Sequence, residues 1–213
     1  MTTGGDDHVL ESIDVREHRF PEHPVEPLLV ERWSPRAMSG EPISRRELLS
    51  LFEAARWAPS SYNNQPWRFV WARRDTPAWD PLFGLLVDFN QRWSSNAAVL
   101  IAMLSRRSFE RSGKPSRTHS FDTGAAWMGL ALQGTAMGLV VHGMEGFDYD
   151  RARDVLDVPE ELAVEAMAAV GRPAPVESLP ERLQEREQPS GRKTVQEIAF
   201  EGRFGVAEPA GPP

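Results

Sequence analysis

The chain has 213 residues, of which 40% are hydrophobic and 26% charged, enough for one α/β or α+β domain with a sizeable core and unlike a disordered or fibrous composition. A net charge of −7 argues against non-specific nucleic-acid binding, because phosphate contacts need a basic surface. The absence of cysteine excludes disulfides, thiol nucleophiles, Cys-ligated zinc and iron–sulfur clusters and fits a cytoplasmic protein. Met1 to Asp14 carries Asp6, Asp7, Glu11 and Asp14 and no apolar h-region, so no signal peptide is expected.

Residues 1–27 are polar and punctuated by Pro21, Pro24 and Pro27, which predicts an extended or partly disordered arm. Ser44 and Glu47 form a capping-box pattern ahead of Leu48, Leu49, Phe52, Ala55 and Ala58 at helical spacing, and Pro59 stops the run. Trp67 to Ala72 reads as an aromatic strand, Trp79 to Phe89 as a short helix and Ala97 to Leu104 as a buried strand. A charged loop spans 106–117. A long helix is predicted from about His119 to Met137, with Gly138 as its stop. Leu139 to Met144 reads as a strand, Tyr149 to Leu156 as a short helix, and Leu162 to Val170 as a strand ended by Gly171-Arg172-Pro173. The domain is expected over 28–175. Residues 176–213, rich in Pro, Glu, Gln and Arg, read as an arm without core of its own, laid over a surface such as a partner's.

Thr123 to Val141 carries no charge and has the length of a membrane span. Its four glycines, two threonines and Gln133 suit a buried helix packed closely on its neighbours better, so no membrane is expected. No GxGxxG, Walker loop or GxSxG elbow is present. His119/Asp122 and His142/Glu145 are each spaced i, i+3, but two weak pairs without a third ligand do not make a metal site, and none is assigned. With the usual catalytic side chains missing, a cofactor that carries the chemistry itself becomes the natural expectation.

Two constellations could serve such a group. Arg32-Trp33-Ser34-Pro35-Arg36 sets two guanidiniums around a hydroxyl, as a phosphate requires, although composition alone favours surface arginines near a turn. Pro59-Ser60-Ser61-Tyr62-Asn63-Asn64-Gln65-Pro66-Trp67 offers many short donors and acceptors for a flat heterocycle, or is an ordinary polar loop.

Pro59-Ser60-Ser61-x-Asn63-x-Gln65-Pro66-Trp67 resembles the signature of the nitroreductase family. Further matching segments follow in the family's order over about Glu31 to Phe200. They are Arg32-x-Ser34-x-Arg36, Asn90-Gln91-Arg92-Trp93, Asp122-x-Gly124-Ala125 with Gln133 and Gly138, Met144-Glu145-Gly146-Phe147, Gly171-Arg172-Pro173 and Arg192-Lys193. The resemblance implies an α+β, three-layer sandwich, its mixed central sheet covered by helices, working as a homodimer with FMN at the subunit interface. It implies that Arg32, Ser34, Arg36 and Arg192 hold the phosphate and ribityl chain. Ser60, Ser61 and Asn63 of the partner subunit would line the flavin, with Gln65 and Pro66 nearby. Asn90 would bond the pyrimidine edge, and the backbone following Met144, at Glu145 and Gly146, would present an N–H to flavin N5.

The activity so implied is a ping-pong reduction of nitroaromatics, quinones or similar small acceptors, with NAD(P)H as donor and the flavin, rather than a catalytic side chain, doing the chemistry. Arg36 would stabilise the reduced flavin anion. Trp93 departs from the lysine that some members carry at the matching position, and only Arg192 among the closing residues is placed as a strong cation. The alternatives are a specialised flavin enzyme of the same fold (a reductive dehalogenase, a flavin-degrading enzyme or a tailoring dehydrogenase) and a non-catalytic flavin-binding protein. The short segment between Leu104 and Asp122 favours an open, permissive pocket.

Overall fold

The computed structural model describes residues 13–206. Its four strands, β1 (Trp67–Arg73), β2 (Val99–Arg106), β3 (Val140–Met144) and β4 (Leu162–Gly171), form one sheet in the order β1-β2-β4-β3. β2 is buried along almost its whole length because it is a central strand with helices on both faces. Its odd residues Val99, Ile101 and Met103 pack with helices α2 (Arg45–Arg56) and α5 (His119–Ala136). Its even residues Leu100 and Ala102 pack toward α3 (Trp79–Phe83), α4 (Asp88–Ser94) and α6 (Tyr149–Val155). The three layers are those expected. The sheet differs in one detail: all three strand pairs are antiparallel, so within the described residues of one chain it is not mixed.

The local signals in the sequence account for the two long helices. Ser44 Oγ accepts from the Glu47 amide at 3.1 Å, and Glu47 accepts from the Ser44 amide at 2.7 Å, closing the capping box. Glu47 also pairs with Arg172 at 2.9 Å, tying the start of α2 to the turn after β4. α5 ends in a Schellman motif: the Leu139 amide donates to Gly134 and the Gly138 amide to Thr135, with Gly138 at φ +67. The apolar stretch is a packed helix. A Cβ on Gly134 would lie 2.2 Å from Val141 Cγ2 and one on Gly129 would lie 3.0 Å from the Ala54 carbonyl oxygen, so α5 meets β3 and α2 at backbone distance. No helix among the described residues is long and apolar enough to cross a membrane.

Three expectations need correction. The helix predicted over Trp79 to Phe89 is two helices, because the chain turns at Gly84–Val87 before α4 begins. The arm expected over 1–27 carries a single 3-10 turn, Val15–Glu17, with Val15 buried, and a short helix, α1 (Pro27–Glu31), follows it; residues 1–12 lie outside the described residues. The segment after Pro175 is not free of core residues. Leu179 and Leu183, the latter on α7 (Glu181–Gln184), are buried with the α3/α4 cluster, and Glu187 is 4% exposed.

Candidate functional site

A cavity of about 780 Å³ opens beside β3 and the N-terminal half of α5, within the roughly 300–1,000 Å³ typical of small-molecule sites. Leu29, Arg32, Ser34 and Arg192 line it from the chain's two ends, and Gly143, Met144 and Glu145 line it from the end of β3. α5 contributes Ser120, Thr123, Gly124, Trp127 and Met128, while Met103, Glu165 and Ala166 come from β2 and β4. The shape depends on two glycines. The Trp127 ring rests on Gly143, where a Cβ would come within 2.9 Å, whereas a Cβ on Gly124 would meet no protein atom.

Arg32 and Arg192, predicted on segments 160 residues apart, do meet here, and Ser34 accepts from Arg32 at 3.3 Å. A third arginine joins them that sequence reasoning placed only in a polar arm. Arg19 donates to the carbonyls of Val30 and Arg32, both at 2.7 Å, and of Ser190 at 3.1 Å, binding the N-terminal arm to both segments. Burial, then the neighbouring Arg192, pushes the Arg32 guanidinium below the usual arginine range. Arg19 is lowered in the same way, by burial first and then by Arg192 and Arg32. No carboxylate of the described residues pairs with any of the three. Clustered guanidiniums without a counter-charge are a site for an anion.

Arg36 is placed elsewhere. It lies outside the cavity lining, and its guanidinium faces Glu187 at 3.5 Å. The same carboxylate accepts from the backbone amides of Arg36 and of Ala37, the latter at 2.9 Å. In this chain Arg36 has a structural part: a buried carboxylate must be paired, and Arg36 pairs it.

The turn after β3 carries the most specific geometry. Neither the Glu145 nor the Gly146 amide finds an acceptor among the described residues, and Glu145 lines the cavity. The turn is clamped from behind. The Gly146 carbonyl accepts from the Val87 amide at 3.1 Å and from Asn90 Nδ2 at 2.9 Å. Asn90 Oδ1 accepts from Trp93 Nε1 at 3.2 Å. Asn90 is buried, lies outside the cavity lining and holds the turn. Trp93 is core, with its ring 4.4 Å from that of His142. Gly146 is required by this clamp, since a Cβ would sit 2.7 Å from Asn90 Nδ2.

His142 Nδ1 lies 2.8 Å from the Pro35 carbonyl and supports the Arg32–Arg36 segment. Burial pushes it down to about 4; the bond to Pro35 opposes this, and Arg36 and Arg32 add to it. His119 and Asp122 are likewise engaged with protein. His119 meets Ser105 at 2.7 Å, and Asp122 accepts from the Ser61 amide at 3.0 Å.

The loop Ser60 to Pro66 does not line this chain's cavity. It packs across the N-terminus of α5 and the 106–117 loop through Ser61–Asp122, and through Asn64, which donates to Ser108 at 3.2 Å and accepts from the Glu110 amide at 3.1 Å. Tyr62, Asn63 and Gln65 all adopt left-handed φ, at +51, +53 and +47, and Tyr62 is 92% exposed. Three non-glycine residues held this way in four positions are a stored strain of the kind found at binding sites.

The profile of the nitroreductase family matches residues 29–78 and 76–172, and the chain belongs to that family. Among solved structures it is similar to one described as an oxidoreductase containing FMN, at 46% identity and a TM-score of 0.84, covering 88% of this chain and 96% of the other. A protein of Desulfovibrio desulfuricans, named as a nitroreductase and solved in complex with FMN, is 27% identical with a TM-score of 0.67, over 86% of this chain and 99% of the other. An NADH dehydrogenase of Thermus thermophilus is 27% identical over 68% of this chain and 84% of its own length.

Proposed function

We propose that this chain is an FMN-dependent oxidoreductase that takes electrons from NAD(P)H and delivers them to nitroaromatics, quinones or similar small acceptors, in a ping-pong sequence. The observation that carries this reading is one cavity lined by Arg32 and Arg192, which have no carboxylate partner among the described residues, and by Glu145, whose amide has no acceptor among them. FMN, when bound, supplies hydride acceptance and return. The protein's part is position and electrostatics.

Arg32 and Arg192, with Ser34, would hold the phosphate, and Arg19 would orient them through its bonds to the Arg32 and Ser190 carbonyls. The Glu145 and Gly146 amides would donate to the ring edge, kept in place by Asn90 and Val87. Trp127 and Met144 offer apolar surface. No second dinucleotide cradle is needed if donor and acceptor use the cavity in turn.

A homodimer belongs to the same reading. Ser60, Ser61, Asn63 and Gln65 stand clear of their own cavity on a strained loop, beside exposed Tyr62 and Phe121, and could complete a partner's, with the buried Pro66 fixing the end of the loop. The cytoplasm is the compartment that a chain without cysteine fits. Initial rates at several fixed quinone concentrations test the sequence of steps. Parallel double-reciprocal lines are expected, and lines that intersect would contradict it.

A further inference from the structure

We propose that Glu165 is a specificity-determining residue, whose carboxylate makes one end of the cavity bind acceptors with a cationic or N–H-donating group and turn anionic ones away. The proposal rests on the reading of the cavity as the substrate site of a flavin oxidoreductase.

Glu165 is the extra residue of a β-bulge. Met103 pairs with Ala166 and Leu104 with Val164, so Glu165 has no partner across the ladder. Bulges re-aim side chains, and this one turns the carboxylate onto the face covered by α5, into the cavity lining. There Oε1 accepts from the hydroxyls of Ser105 and Ser120, the latter at 2.7 Å. Ser105 is fully buried; its hydroxyl donates to Glu165, so it accepts from His119 Nδ1 at 2.7 Å. One carboxylate oxygen is thereby fixed by a relay of three side chains. Oε2 accepts no hydrogen bond from the described residues.

Two further observations point to a ligand at this end. Thr123 is 3% exposed and lines the cavity, yet its hydroxyl has no partner among the described residues. Tyr149, also in the lining, has its phenol pushed up by burial and then by Glu145 and Glu165, which marks the two carboxylates as neighbours of one space. The only lysine or arginine residues in the lining are Arg32 and Arg192, and neither pairs with Glu165, whose one ion-pair neighbour among the described residues is His119 at 3.4 Å. The lining thus carries its cations on Arg32 and Arg192 and presents a carboxylate at Glu165.

The test uses redox-inert probes. Oxidised, flavin-loaded protein is titrated with benzamidine and with benzoate, followed by the flavin absorbance difference. Benzamidine should bind about tenfold more tightly than benzoate, and Glu165→Gln should bring the two within about twofold, as loss of one charge-assisted bond implies. Benzoate binding as well as benzamidine in the unmodified protein would overturn the proposal without recourse to any variant. It would equally fall if Glu165→Gln kept the preference while Glu145→Gln abolished it. If the protein holds no flavin, the tryptophan fluorescence change, taken as the difference from Trp127→Phe, follows the same titrations. An amidine preference there would sustain Glu165 while refuting the flavin reading, and a flavin-loaded protein without the preference would do the reverse.

Discussion

Replacing Arg32 or Arg36 with alanine separates the two roles that the structure gives these arginines. Arg32 makes one long bond to Ser34, at 3.3 Å, and is disfavoured by burial and by Arg192. Its removal should cost a charge-assisted bond to the phosphate, about 1.5–3 kcal/mol, so FMN should bind roughly 10- to 150-fold more weakly. The flavin-free protein should melt no lower than the parent, because a like-charge contact has been relieved. Arg36 is the opposite case. Its loss leaves Glu187, 1% exposed at the side chain, with only the Arg36 and Ala37 amides. That should cost about 1–3 kcal/mol, or roughly 3–10 °C in a domain of this size, with less effect on FMN. FMN fluorescence titration and thermal unfolding of the flavin-free protein measure both quantities. An Arg36→Ala variant that loses FMN at unchanged stability, beside an Arg32→Ala variant that keeps it, would refute the assignment.

Gly146→Ala should weaken both stability and FMN affinity, since its Cβ meets Asn90 at 2.7 Å and Val87 at 3.0 Å; overpacking of this kind costs about 1–3 kcal/mol. Unchanged flavin affinity would detach that turn from the site. Leu183→Ala should lower stability in urea by about 2–4 kcal/mol because Leu183 is core, and a chain ended at Pro175 should not fold cooperatively. His142 gives a pH dependence. Its folded value of about 4 lies below the ordinary 6.5, so the unfolded chain binds more protons between them and stability falls as pH drops through that window. The loss should be on the order of 3 kcal/mol and should be absent from His142→Asn. Denaturation curves at pH 7.5, 5.5 and 4 would measure it.

The fold was largely legible because its signals are local. The Ser44–Glu47 cap, the small-residue pattern of α5 and Gly138 are each read within a few residues, and the structure repeats them. The two helices over Trp79–Ser94 were not separated, because the break at Gly84–Val87 is stabilised by tertiary bonds such as Val87 to Gly146. At the site, Arg32, Ser34, Met144, Glu145 and Arg192 were found through resemblance and do converge. The protein partners of Arg36 and Asn90, Glu187 at 151 residues and the Gly146 carbonyl at 56, cannot be seen from sequence spacing. Arg19 carries no motif and becomes visible only when three chain segments meet. Glu165 depends on a bulge, a register event between two strands that neither strand's pattern announces.

The most direct test of the account is a visible spectrum of the purified protein, taken before and after anaerobic addition of NADH or NADPH. The account predicts a flavin spectrum, released as FMN on denaturation, bleached by the nucleotide and restored by a nitroaromatic or a quinone. A colourless protein that cannot be reconstituted with FMN would contradict it.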